Sequence, residues 1–107
     1  MEIGDRPWGR YYVLYDGDDC KVKKIVIKPH QQISYQYHYK RNERWCITEG
    51  TGKVILDDEV IPVFPESSVH IPAMVKHTIV NTSDSKDLVF IEVQTGTYFG
   101  EDDIVRF

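Results

Sequence analysis

The sequence is poor in cysteine: only Cys20 and Cys46 occur among 107 residues, with no CxxC spacing for a redox or zinc-ribbon site. No charged-then-apolar leader precedes them, so each is expected as a buried, reduced thiol in a protein of the cytoplasm. Long apolar runs are missing as well. YYVLY and LVFI fall far short of the roughly 20 residues a membrane-crossing helix needs, which argues against a membrane partner. Basic runs are absent too. A net charge of −4 without a lysine or arginine block among aromatics lacks the electrostatic footprint of a nucleic-acid binder, so no nucleic-acid partner is expected. An anionic small molecule would then need a local cluster of cations inside a pocket. The last absence is helical spacing, which no stretch of the chain displays convincingly.

What remains is rich in aromatic and β-branched residues, seven tyrosines among them, and reads as all-β. At this length the chain, residues 1–107, forms one domain, and any site has to be built inside its core. Residues 1–9 read as an irregular arm whose Trp8 tucks against the rest. Strands follow over Tyr11–Leu14, KVKKIVIK, Lys53–Leu56, Glu59–Val63, the stretch ending at Ile71, the stretch opening at His77, and LVFIEVQTG. With the central segment below this makes nine or ten short strands, a sandwich or barrel. Lys23 shares a face with Ile25 and Ile27, and Lys24 with Val22 and Val26, so one of the two lysines points inward. An inward lysine needs a charged partner or a substrate. Glu92 and Gln94 share the face of LVFIEVQTG that would line a pocket.

The densest chemistry lies between Ile33 and Gly50. On a strand, Ser34, Gln36 and His38 point one way and Tyr35, Tyr37 and Tyr39 the other; the tyrosine face reads as sheet packing or the contact of a homodimer. YKRN reads as a hairpin loop that returns Glu43 opposite His38. An amide, an imidazole and a carboxylate make an incomplete shell for a divalent metal, and His77 is the candidate to complete it.

The segments 29–50 and 71–81 resemble the two motifs of the cupin barrels, with Gln36 where the first histidine is usual. KVKKIVIKP, ISYQYHYKRNERW, IPAMVKHTIVN and IEVQTGTYFGEDDIVRF, with RPWGRYYVL at the start, are similar to the type II phosphomannose isomerases, as found in bifunctional mannose-1-phosphate guanylyltransferases. The resemblance implies a cupin jelly-roll barrel and a metal-dependent interconversion of mannose 6-phosphate and fructose 6-phosphate, feeding sugar-nucleotide and polysaccharide synthesis. It implies Gln36, His38, Glu43 and His77 as ligands of one divalent metal, usually zinc, with manganese, nickel, cobalt or iron also compatible. Arg41 and Arg106 sit in family motif positions, and with an inward Lys23 they would meet the phosphate of a phosphorylated sugar. The proton-shuttling base would be Glu92, the inward lysine, or one of Glu101, Asp102 and Asp103. A non-catalytic metal cupin that binds a sugar is the alternative, and two histidines with a carboxylate also suit a non-haem iron oxygenase. Against the family pattern, His30 and Met74 replace glycines, Arg44 a histidine and Thr78 an arginine, and Phe107 is not followed by the family's Tyr-Gly-Arg stretch, so a reshaped turn at Met74 and an altered pocket wall are expected.

Overall fold

Alternating inward apolar residues, broken by turns rich in aspartate, glycine and proline, divide the chain into eleven strands: β1 (Ile3–Arg6), β2 (Gly9–Asp16), β3 (Cys20–Ile27), β4 (Gln36–Tyr37), β5 (Arg41–Glu49), β6 (Gly52–Leu56), β7 (Glu59–Val63), β8 (Ser68–Ile71), β9 (His77–Asn81), β10 (Leu88–Gly96) and β11 (Val105–Arg106). The computed structural model describes residues 1–107 and has no helix long and apolar enough to cross a membrane.

The strands form two antiparallel sheets, in the orders β1-β2-β3-β10-β5-β8 and β11-β4-β9-β6-β7. Their inner faces enclose Ile25, Ile27, Trp45, Ile47, Val54, Ile71, Ile79, Leu88 and Phe90, so this is the jelly-roll barrel of the cupins. Burying each such side chain stabilises the fold by about 1.5–3 kcal/mol. The β6–β7 hairpin is as the sequence reads, turning at Asp57 and Asp58 with φ of 44° and 70°, the left-handed pair that a two-residue hairpin loop requires.

Three expectations are corrected. Residues 1–9 are not an irregular arm: β1 pairs with β2 from Ile3↔Tyr12 to Arg6↔Gly9, with Trp8 packed against the core. Gly9 is required there, because a Cβ would come within 1.9 Å of the Val26 carbonyl oxygen. Neither cysteine is a buried thiol; both are free, but Cys46 faces outward and Cys20 is half-buried. The third concerns the site. The segments around YKRN are not a hairpin, since β4 pairs with β9 and β11 in one sheet while β5 pairs with β10 and β8 in the other. The loop crosses from sheet to sheet, and Glu43 faces His38 across the barrel.

Met74 stands in a turn whose backbone suits glycine. It adopts the left-handed conformation a glycine would, with φ of 69°, and its N–H donates to the His38 carbonyl at 2.7 Å. His30 does the same at φ 59°, its ring 2.5 Å from Asp84 on the surface.

Candidate metal centre

Each wall of the site follows from strand register. On the six-stranded sheet, Lys23 of β3, Glu92 of β10 and Trp45 of β5 are lateral neighbours, and one step toward the barrel mouth Gln94 neighbours Glu43. All of these side chains point inward and are buried. From the other sheet come His77, at the start of β9, and Gln36 of β4, which face each other as a pair, with His38 just after β4.

His38, Glu43 and His77 converge, their ligand atoms all lying within 4.8 Å of one another. His38 Nε2 is 3.3 Å from Glu43 Oε2, and His77 Nε2 is 3.7 Å from Glu43 Oε1. Both imidazoles are held from behind: His38 Nδ1–H donates to the Asp103 carbonyl at 2.7 Å, and His77 Nδ1–H to the Val75 carbonyl at 2.9 Å. A carbonyl can only accept, so these bonds put the lone pair of each ring on Nε2, aimed at the centre. His77 Nε2 has no hydrogen-bond partner although it is fully buried. An orphaned, buried nitrogen lone pair beside a carboxylate and a second imidazole is the arrangement a divalent cation satisfies. Burial, together with the Arg41 charge, pushes His38 down to about 4, and burial also lowers His77, so both rings are neutral as ligands must be.

Gln36 adjoins this trio. Its amide nitrogen lies 3.4 Å from His38 Nε2 and its oxygen accepts from Ser34 Oγ at 2.7 Å, so a half-turn of the amide would bring the oxygen onto the trio. Arg41 opens β5 and is buried against the same atoms, with Nε donating to Glu43 Oε2 at 2.8 Å and Nη2 to His38 Nε2 at 3.1 Å. Trp45 Nε1–H is shared between Glu43 Oε1 and Glu92 Oε2, 3.1 Å from each.

The trio sits beside a cleft of about 340 Å³ lined by Lys23, Gln36, Arg41, Glu92, Glu101 and Arg106. Of the two candidate lysines it is Lys23 that points inward, its ammonium 2.8 Å from Glu101 and 4.9 Å from the centre of the Tyr11 ring; Lys24 is exposed. Arg6, Trp8 and Tyr11 also stand on the cleft wall, and sequence alone does not place them there: Arg6 and Trp8 fall in the stretch that reads as an arm, Tyr11 opens an ordinary strand, and the alternation in RPWGRYYVL carries no mark of a cleft.

The acidic candidates separate by environment. Burial in the first place, then the neighbouring Glu43, pushes Glu92 up to about 8. Burial also raises Glu101, but Lys23 and Arg41 outweigh it and hold its carboxyl at about 2. Asp102 accepts from the Tyr98 hydroxyl at 2.5 Å. The Asp103 carboxylate accepts from the backbone N–H groups of Tyr39 and Lys40 at 3.1 and 2.9 Å, which fixes the loop carrying His38. Thr78 and Arg44, two departures from the family pattern, lie off the site: Thr78 Oγ1 bonds the Ile33 carbonyl, and Arg44 faces outward.

Comparison with known proteins gives a family and a fold. Residues 3–107 match the family described as mannose-6-phosphate isomerase C-terminal. A mannose-1-phosphate guanylyltransferase of Salmonella montevideo is 46% identical over 102 residues, which is 95% of this chain and 21% of that protein. The xanthan biosynthesis protein XanB of Xanthomonas campestris is 43% identical over 95% of this chain and 22% of its own length. The chain thus spans about a fifth of the length of these relatives. The crystal structure of the capsular polysaccharide assembling protein CapF from Staphylococcus aureus superposes over 99% of this chain and 31% of its own with a TM-score of 0.82; at 22% identity this bears on the fold alone.

Proposed function

The chain belongs to the mannose-6-phosphate isomerase C-terminal family, and from that premise we propose that it interconverts mannose 6-phosphate and fructose 6-phosphate with a divalent metal, zinc on the chemistry of its donors. The observation that carries the reading is the buried trio His38, Glu43 and His77, its orphaned nitrogen facing inward, set beside a cleft whose walls bear Lys23, Arg41 and Arg106. His38, Glu43 and His77 would hold the ion, with the Gln36 amide as the fourth donor. When bound, the metal supplies an electrophile for the negative oxygen that develops as an enediol forms.

The protein's own groups do the rest. Lys23, Arg41 and Arg106 receive the phosphate and so fix the sugar's carbon chain relative to the trio. Glu92, at the cleft floor beside Glu43, takes the proton from C2 of mannose 6-phosphate in its ionised form, which gains population as pH rises toward 8, and returns it to C1, while a hydroxyl proton passes from the C2 oxygen to the C1 oxygen. The outer tyrosines would serve a homodimer contact.

A coupled assay on mannose 6-phosphate with added zinc tests the reading. Turnover above a chelated control is expected; none would end the isomerase claim in favour of a non-catalytic metal site that binds a sugar. Oxygen consumption with ferrous iron would instead favour an oxygenase. Arg106→Ala should raise KM for the phosphosugar about ten-fold or more while zinc affinity stays constant, because Arg106 is exposed at the cleft edge and touches none of the trio.

A further inference from the structure

We infer that Glu101 is a resident anion, seated on the Lys23 and Arg41 pair in place of a phosphate group and exchanged for it when an anionic ligand enters; this rests on the reading of the cleft as a phosphosugar site. A single oxygen, Oε1, serves both cations, 2.8 Å from Lys23 Nζ and 3.4 Å from Arg41 Nη1. The pairing is lopsided. The lysine and arginine side chains are 9% and 3% exposed and fixed on β3 and β5, on either side of β10, whereas Glu101 is 53% exposed and belongs to the loop between β10 and β11. Two buried cations need an anion near them, because either one unpaired in the barrel is costly. Arg41 also has Glu43 at 2.8 Å, but the anion that the two cations share is at the mouth of the cleft, on a side chain free to leave.

The loop itself does not depend on that side chain. Asp103 anchors it through Tyr39, Lys40 and His38, and the Asp103 N–H donates to the Gly100 carbonyl at 3.2 Å, so Glu101 can swing toward solvent while the backbone stays in place. A phosphate group carries more charge and more acceptor oxygens than a carboxylate, and so competes well for a lysine and an arginine.

The consequence is that Glu101 weakens anion binding at the very site it completes. Calorimetric titration of the full chain with inorganic phosphate reads this directly. Glu101→Gln should bind phosphate about five-fold tighter than the parent. Asp102→Asn, which removes the same unit of charge one residue along, should gain no more than the shared change in net charge allows. Lys23→Met added to Glu101→Gln should erase the gain, with near-UV circular dichroism confirming a native barrel. Equal affinities for Glu101→Gln and Asp102→Asn, a gain that survives Lys23→Met, or no phosphate binding in any variant would each overturn the inference. Turnover of mannose 6-phosphate is scored separately: tighter phosphate without turnover sinks the isomerase proposal alone, and turnover without any affinity change sinks this one alone.

Discussion

The two ends of the barrel interior are made by the same strands and are chemically opposite. β5 enters with Arg41 and Glu43 and continues with Trp45 and Ile47; β10 runs from Leu88 and Phe90 to Glu92 and Gln94. β3 passes from Lys23 to Ile25 and Ile27, and β9 from His77 to Ile79. Each inward face changes character at one level, that of Trp45. Its ring packs on Phe90 at 4.9 Å on the apolar side and meets His77 edge-on at 5.6 Å on the polar side, while its N–H bridges two carboxylates. The contrast teaches that stability is concentrated at one end, where burial of hydrocarbon stabilises outright, and function at the other, where buried charges cost free energy unless partnered.

The contrast is sharpest under truncation. Phe90→Ala at the apolar end should cost about 3–5 kcal/mol in urea denaturation, the cavity left by a ring that is fully buried. Zinc affinity of the remaining folded molecules should change little. If the mutant instead loses metal binding at unchanged stability, the division between the ends is wrong.

Trp45→Phe probes the boundary. The replacement keeps an aromatic ring but leaves Glu43 Oε1 and Glu92 Oε2 without their shared donor, so about 1–3 kcal/mol should be lost. Since Glu43 then keeps only Arg41 to orient it, zinc affinity, measured by competition with a chelating dye, should fall about ten-fold. A stability loss with metal affinity untouched would move the boundary away from Trp45.

Much of this division was legible in the sequence, and the parts that were not share a cause. The inward pairing of Glu92 with Gln94, the β6–β7 hairpin and the shared face of Gln36 and His38 follow from period-two alternation, which is local, whereas the meeting of His38 and His77 with Glu43 depends on which sheet each strand joins. The sheet to which a strand belongs is not local. YKRN has the length and polarity of a hairpin loop, and nothing in those four residues says that β4 and β5 lie in opposite sheets. Lys23 and Lys24 could not be told apart because both sit in alternating apolar company; the choice was made by register, Lys23 lying beside Glu92 and Lys24 beside Ile91. Likewise, nothing in EDDIVRF reveals that its loop folds back to bond His38 and supply Glu101 to the cleft.

Acid should act on the mouth before the apolar end. Glu101 is held at about 2 against an ordinary 4.5, so its ion pairs add stability that is fully present above about pH 4.5 and is lost as pH falls toward 2. Because the carboxylate is half exposed, solvent screening reduces that contribution to about 0.5–1 kcal/mol. Parent and Glu101→Gln should therefore differ by this amount at pH 6, and the two denaturation curves should converge as pH falls to about 2. A gap that persists at low pH would mean that the side chain acts by packing rather than charge.

The smallest effect expected is a gain. Met74 holds a left-handed conformation next to the mouth, where its N–H supports the carbonyl of His38, and its side chain is 61% exposed, so little packing is lost on truncation. Relief of the Cβ clash in that conformation favours glycine by about 1–2 kcal/mol. Against this, glycine has more conformational freedom in the unfolded chain, which costs about 0.4–1 kcal/mol. The difference leaves Met74→Gly more stable by about 0.5–1 kcal/mol, readable as a higher denaturation midpoint at constant slope. His38 keeps its backbone support, so zinc affinity should not move. A destabilised Met74→Gly would show that the methionine side chain, though exposed, props the turn beneath the metal ligand, and would extend the structural half of the barrel into its polar end.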